Sequence, residues 1–175
     1  MAFLEQFTSG SLQLAKQSWI KDAIELDYPT IDIEKAFSYA ENHIDYKNVV
    51  NDSLSYAIFD DKSKECLAVV DIVVSKNNPQ KTYIKMLTVD LSPKLISILL
   101  KDQMEELEQI IDVYSRATLG TILLTFSHKA DIVKIYGRSQ SMRLLLKSIE
   151  SSINTNTNFK CTTKWEGSWL TVCQN

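Results

Sequence analysis

The sequence predicts an α/β domain in which a mainly antiparallel central sheet is flanked by helices. Apolar residues recur at spacings of three and four over residues 12–26 and 33–44, which predicts two amphipathic helices. The period changes to two over residues 54–89, which predicts three antiparallel strands in succession. The elements predicted beyond them are a helical region from residue 94, a strand over 131–136, a helix over 139–153 and a hairpin over 159–172.

The first two helices each have an apolar stripe. The first helix is expected to end at Tyr28-Pro29. Its stripe comprises Leu12, Ala15, Trp19, Ala23 and Leu26. The second helix has Thr30 or Asp32 as its cap, and its stripe comprises Ile33, Phe37, Ala40 and Ile44. A stripe of this kind must be buried against another element. We therefore expect the two helices to pack as a pair.

The second of the three strands is apolar on both faces, which is typical of a central strand covered on both sides. Strict alternation along it puts Cys66, Ala68, Val70, Ile72 and Val74 on one face. It puts Leu67, Val69, Asp71 and Val73 on the other. In the third strand, the same alternation places Tyr83, Lys85, Leu87 and Val89 on one face and Ile84, Met86 and Thr88 on the other.

The second half of the chain contains one ambiguous stretch. Residues 117–126 are rich in β-branched side chains that favour a strand, but they follow a helical pattern, and we expect a helix there. The strand over 131–136 is expected to lead through Gly137-Arg138 to a helix that Ser139 caps.

Composition limits the function classes. The 175 residues are 45% hydrophobic and 23% charged, which suits a single domain over residues 1–175. A net charge of -3 gives no global attraction to nucleic acid or to an anionic membrane. The three cysteines match no zinc or redox spacing, so we expect reduced thiols, no metal site and a cytoplasmic setting. No apolar run of membrane-spanning length occurs, and we expect no membrane contact.

The order of elements from Leu12 to Val172 resembles the GCN5-related N-acetyltransferase (GNAT) superfamily. The most local similarity lies in residues 133–143, which resemble the fifth strand and following helix of small phage-encoded members. This resemblance implies a GNAT-like fold. It also implies a phage accessory or virion-associated protein, located in the cytoplasm of a bacterial host or in the virion.

The resemblance also locates the segment that should bind acetyl-CoA. Active members have an apolar-x-Val-x-Pro strand end and then a loop of the form Arg/Gln-x-x-Gly-x-Gly/Ala, whose backbone N–H groups approach the pyrophosphate. Here Leu87-Thr88-Val89 matches the strand half, Pro93 comes late, and residues 94–100 contain no glycine, alanine or arginine. We therefore expect a degenerate member that binds no cofactor. If the chain is an enzyme that uses acetyl-CoA, the candidates for the phosphates are Lys94 and Arg138.

The resemblance implies that a carboxylate on the central strands or a water chain takes the amine proton, and that a tyrosine in the helix after the fifth strand protonates the leaving thiolate. Asp71 and Asp90 are the carboxylates near that position, and Asp71 is the better candidate. Tyr136 precedes the helix instead of lying within it. Whether the chain is an enzyme stays open, and the sequence favours a protein that is not one. If it is an N-acetyltransferase, Asp71 and Tyr136 are its catalytic candidates.

A positive cluster and two tryptophans supply candidate contact surfaces for a partner. The residues concerned are Lys134, Arg138, Arg143, Lys147, Trp165 and Trp169. We interpret the chain as a non-catalytic, acetyltransferase-like protein-interaction module whose partner is another protein. The alternative is a divergent N-acetyltransferase. A nucleic-acid-binding protein is a third hypothesis, which the negative net charge disfavours.

Overall fold

The computed structural model describes residues 3–44, 51–78, 81–100, 107–138, 140–155 and 161–174. The helices are α1 (Ser9–Glu25), α2 (Thr30–His43), α3 (Pro93–Leu100), α4 (Leu107–His128) and α5 (Gln140–Thr155). The strands are β1 (Glu5–Gln6), β2 (Asn51–Phe59), β3 (Cys66–Asn78), β4 (Lys81–Leu91), β5 (Ile132–Tyr136), β6 (Cys161–Glu166) and β7 (Trp169–Gln174). The predicted cap Ser139 lies outside the described residues.

The seven strands form one sheet in the order β1-β2-β3-β4-β5-β7-β6. Neighbouring strands are antiparallel except β4 and β5, which run parallel. The predicted fold class, a mainly antiparallel sheet flanked by helices, is therefore confirmed. The segment predicted as ambiguous, 117–126, is helical and lies within α4. Strand β1, which pairs with β2, was not predicted.

Helices α1 and α2 pack together on one face of the sheet. Trp19 of α1 and Phe37 of α2 are almost fully buried there, with ring centroids 5.0 Å apart, against Val69 of β3. The indole Nε1 of Trp19 donates a hydrogen bond of 2.7 Å to the carbonyl of Cys66, which fixes α1 on β3. The larger core, on the other face, includes apolar residues of α3, α4 and α5. The predicted helix pair is confirmed.

Strands β4 and β5 separate part of the way along their length. They pair from Tyr83 opposite Ile132 to Met86 opposite Ile135. Strand β4 continues to Leu91, whereas β5 ends at Tyr136. The sheet therefore opens between the last residues of β4 and the chain that follows β5.

Two β-bulges change the faces predicted by strict alternation. Asp71 lies opposite Thr88 while Ile72 lies opposite Met86, so Leu87 is an extra residue in β4. A shift of one residue turns the following side chains to the other face. Thr88 and Asp90 therefore share the face of Asp71, and the predicted grouping of Thr88 with Ile84 and Met86 was wrong.

The second bulge lies at the start of β3. Phe59 lies opposite Cys66 and Ile58 opposite Ala68, so Leu67 is the extra residue. The thiol of Cys66 packs in the cluster under α1 and α2, with Val69. The predicted grouping of Cys66 with Ala68 was therefore wrong as well.

Candidate functional site

The separation of β4 and β5 opens two cavities that meet at Thr88, Asp90 and Arg138. The first, of about 490 Å³, lies under α1 and α2, and we call it the acidic cavity. Its lining includes Trp19, Tyr28, Asp32, Asp71, Asp90 and Arg138. The second, of about 350 Å³, we call the tyrosine cavity. Its lining includes Met86, Thr88, Asp90, Tyr114, Tyr136 and Arg138.

Asp71 is the most buried carboxylate of the acidic cavity, with 5% of the residue exposed. Its two oxygens accept hydrogen bonds from the Ser55 hydroxyl at 2.7 Å and from the Thr88 hydroxyl at 3.0 Å. Burial raises the pKa of Asp71 to about 6, and these two hydrogen bonds oppose the rise. Asp71 is therefore charged at neutral pH but close to titration.

Asp90 is a second, half-buried carboxylate, and it lines both cavities. Burial raises its pKa, while a hydrogen bond with Thr88 and the charge of Arg138 oppose that rise. The Thr88 hydroxyl has one proton, so it can donate to only one of the two carboxylates at a time. Asp71 and Asp90 are thus linked through one hydroxyl, and each leaves acceptor capacity facing the cavity.

Two tyrosines line the other cavity. Tyr136, at the end of β5, is 38% exposed, and its ring lies 4.9 Å from that of Trp169. Tyr114 is on α4, and burial together with the negative charge of Asp90 raises its pKa. Tyr114 therefore stays protonated at neutral pH. We predicted Tyr136 as a site residue but not Tyr114, which in the sequence belongs to an apolar helical stripe.

The start of α3 is where the resemblance implies a pyrophosphate site, and its backbone donors are largely occupied. The Ser92 N–H donates to Leu67 at 2.9 Å, and Pro93 has no N–H. The N–H groups of Leu95 and Ile96 donate to the hydroxyl and the carbonyl of Ser92, at 3.4 and 3.0 Å. Pro93 and Leu95 are also buried. These residues do not fit a pyrophosphate.

Lys94, predicted as a phosphate ligand, is held elsewhere. Its ammonium lies 3.0 Å from a carboxylate oxygen of Glu65 and 3.4 Å from one of Asp22. It lines a separate cavity with these two residues. Arg138, the other predicted phosphate ligand, lines both the acidic and the tyrosine cavity. The structure therefore does not bring Lys94 and Arg138 into one site.

The predicted partner-binding residues divide between the two faces of the sheet. Arg143, Lys147 and Trp165 line one cavity of about 420 Å³ beside α5. Lys134 lies on the opposite face, where its ammonium is 2.7 Å from Glu166. Lys134 and Lys164 together lower the pKa of Glu166 to about 2.

Leu170 is buried in the core on the α5 side. Because successive side chains of a strand alternate between faces, the side chain of Trp169 projects to the other face. It stacks there on Tyr136. The six predicted residues thus do not form one surface.

Within the described residues, no group of three histidine, cysteine or acidic side chains is arranged to hold a metal ion. Among the helices that the structure describes, none is both long and apolar enough to cross a membrane.

No protein-family model and no curated protein matches the chain. Among solved structures, it is similar to a chimera of the spermidine N-acetyltransferase SpeG from Vibrio cholerae and hSSAT, with 10% identity and a TM-score of 0.46 over 97% of this chain and 91% of that one. A protein from Desulfovibrio desulfuricans assigned to the GNAT acetyltransferase family matches with 6% identity and a TM-score of 0.43, over 97% and 94%. The KacTA–DNA complex matches with 7% identity and a TM-score of 0.41, over 79% and 78%.

These matches include an acetyltransferase of the superfamily that the sequence resembles. At such identities and TM-scores, they carry no argument about what this chain binds or does. The function is therefore inferred from the geometry of the described residues.

Proposed function

We propose that this protein is a non-catalytic binding module with an acetyltransferase-like fold, which takes a lysine side chain of a protein partner into the acidic cavity. The observation that carries the proposal is the pair of carboxylates at the opening between β4 and β5, the buried Asp71 and the half-buried Asp90. A buried carboxylate with unused acceptor capacity is stabilised by a cation that donates hydrogen bonds to it.

The walls of the acidic cavity suit a lysine side chain. An ammonium group has three donors, which matches two carboxylates held close together by Thr88. Tyr28, which is half-buried, supplies apolar surface for the aliphatic stem, and its aromatic face also attracts a cation. Lys35 is paired with Asp32 at 3.0 Å, and the charge of Arg138 lowers the pKa of Asp90. Burial is the largest influence on the pKa of Asp71, and the positive charge of His43, which lowers it, is the smallest. Asp71 is therefore the carboxylate with the most to gain from an incoming ammonium.

The start of α3 supports the non-catalytic part of the proposal. An acetyl-CoA pyrophosphate needs backbone N–H donors and small residues, and the buried Pro93 and Leu95 supply neither. Lys94 is already neutralised by two carboxylates. We therefore assign no transfer step to this protein.

Calorimetry with Nα-acetyl-lysine methylamide tests the proposal. Binding is expected at pH 8, where Asp71 is ionised, and should weaken by roughly tenfold at pH 5, where a group of pKa about 6 is mostly protonated. Asp71→Asn should abolish the detectable heat at pH 8. Asp61→Asn, on the exposed β2–β3 turn, is the matched control and should bind as the parent does. No binding by the parent protein at pH 8 overturns the proposal.

The alternative, a divergent N-acetyltransferase, is favoured by one observation. The tyrosine cavity meets the acidic cavity at Asp90, which leaves room for a second ligand opposite the amine. Titration with acetyl-CoA, with CoA as the control, separates the two functions. Micromolar binding would replace our proposal with the enzyme, in which Asp71 is the candidate base. No heat at millimolar acetyl-CoA, with lysine-amide binding intact, supports the binding module.

Two other hypotheses from the sequence are nucleic-acid binding and a role in a phage. Nucleic-acid binding is disfavoured further, because the ammonium of Lys134 is paired with Glu166 and is less available to a phosphate. A phage accessory or virion-associated role remains part of the proposal, on the resemblance of residues 133–143 alone.

A further inference from the structure

We infer that the cavity beside α5 binds an acidic segment of the partner that also carries apolar side chains. We call this cavity the basic groove; it has a volume of about 420 Å³. Its lining comprises Gln140, Arg143, Leu144, Lys147, Trp165 and Gly167. The inference rests on the proposed function, because it gives the same protein partner a second contact.

The groove presents two cations that the fold does not neutralise. Arg143 and Lys147 are one turn apart on α5, and both are exposed. In the described part of the chain, neither has a carboxylate within ion-pair distance, whereas Lys134 and Lys164 both contact Glu166. The two side chains are therefore available to an anionic ligand.

The acidic residue closest in sequence to this pair is already engaged. The carboxylate of Glu150 accepts hydrogen bonds from the indole of Trp165 at 2.8 Å and from the Thr163 hydroxyl at 3.1 Å. The indole N–H is thus satisfied within the protein. What Trp165 can offer a ligand is the apolar surface of its ring.

The backbone holds Arg143 in position. A side-chain carbon at Gly137 would lie 2.5 Å from Cγ of Arg143, so the arginine stem packs directly on the Gly137 backbone. The Gly137 N–H donates to the Ser168 carbonyl at 2.8 Å, which ties this contact to the β6–β7 turn. A cation fixed in this way loses little side-chain freedom when it binds a carboxylate.

The apolar part of the groove indicates a protein segment. Leu144 is 60% exposed and lines the groove with Trp165. A nucleic acid gains affinity from many phosphate contacts, and a groove with two cations on a chain of net charge -3 offers few. A carboxylate next to a leucine or phenylalanine side chain matches both the charge and the apolar surface.

The probe is a fluorescent hexapeptide that alternates aspartate and leucine, followed by anisotropy. We expect it to bind, and the analogue with lysine in place of aspartate to show no binding. The double variant Arg143→Gln, Lys147→Gln should weaken binding by at least about tenfold, because two charge-assisted contacts are lost. Lys62→Gln, on the exposed β2–β3 turn, is the matched control and should leave it unchanged.

A second variant keeps every charge. Gly137→Ala should displace the Arg143 stem and weaken peptide binding, with folding checked by circular dichroism. Equal binding of the acidic and basic peptides, or an unchanged affinity in the double variant, overturns the inference. An oligothymidine of equal charge that displaces the acidic peptide would also overturn it, in favour of a nucleic-acid site.

The two sites can fail separately. The double variant in the groove should bind Nα-acetyl-lysine methylamide as the parent does, and Asp71→Asn should still bind the acidic peptide. Loss of peptide binding alone therefore removes the groove, and loss of lysine-amide binding alone removes the proposed function of the acidic cavity.

Discussion

The acidic cavity and the start of α3 lie at the same end of β4, but they differ in how far their polar groups are satisfied within the protein. In the cavity, the buried Asp71 and the half-buried Asp90 can each accept further hydrogen bonds. At the start of α3, the backbone N–H of Ser92 donates to Leu67, and those of Leu95 and Ile96 donate to Ser92. Lys94 is paired with two carboxylates. Polar groups that the fold leaves partly unsatisfied mark where a ligand can be stabilised. Groups that are satisfied internally contribute to folding instead.

The largest effect should come from removing the buried charge of the cavity. Asp71→Asn should raise the free energy of unfolding by about 3 kcal/mol at pH 8, because the folded-state pKa of about 6 lies well above the ordinary 3.8. The proton bound in the folded state favours folding fully below pH 4, and that contribution is lost as the pH rises through 6. The difference between variant and parent should therefore shrink to about 0.5 kcal/mol at pH 4, as measured by urea unfolding at both pH values. A variant that is less stable than the parent at pH 8 contradicts this account of Asp71.

The wall of the cavity gives the next largest effect. Trp19→Phe removes the hydrogen bond to the Cys66 carbonyl and leaves that buried acceptor without its donor. A loss of about 2 kcal/mol in the free energy of unfolding is expected. Trp169→Phe, at the half-buried stack on Tyr136, should cost less. Equal losses in the two variants would mean that the indole hydrogen bond does not hold α1 on β3.

At the start of α3, a smaller effect should follow from the loss of the cap. Ser92→Ala takes away the hydroxyl that accepts the Leu95 N–H and should cost about 1 kcal/mol. Ser97→Ala, on a more exposed position of α3, serves as the control and should change stability by less than about 0.5 kcal/mol. If Ser92→Ala gained acetyl-CoA binding in calorimetry, the cap would be what closes the pyrophosphate site, and the start of α3 would then be a second place where a ligand can bind.

The smallest effect is expected for Lys94→Ala. The lysine side chain is about half exposed, so solvent screens its pairs with Glu65 and Asp22. The free energy of unfolding should fall by less than about 1 kcal/mol, and by less still at high salt. The variant should also leave the calorimetric response to acetyl-CoA unchanged, whereas a changed response would restore Lys94 as a phosphate ligand.

The order of elements could be predicted because most of them carry a clear period. The two-sided apolar pattern of residues 66–74 identified the central strand, and the helical stripes identified α1 and α2. Strand β1 could not be predicted, since its two residues are both exposed and show no period. Two residues are too few for an alternation to appear.

The site could be predicted only in part. Asp71 is conspicuous in the sequence as a carboxylate in an apolar strand. The face on which Asp90 lies depends on the bulge at Leu87, and no glycine or proline next to Leu87 indicates a bulge. Tyr114 is hidden because an aromatic residue in a helical stripe is indistinguishable from core. Lys134 was grouped with Arg143 by closeness in sequence, although a strand and the following helix direct them to different faces of the sheet.

The extra residue Leu87 has a consequence for the comparison of this chain with relatives. Deleting it would restore strict alternation and turn Thr88 and Asp90 away from Asp71, at no change in composition beyond one leucine. An alignment that forbids a gap within β4 would therefore equate residues that lie on opposite faces, and would score two chains as alike when only one of them has the cavity. A change of chain length at this position therefore alters the site even where both carboxylates are kept.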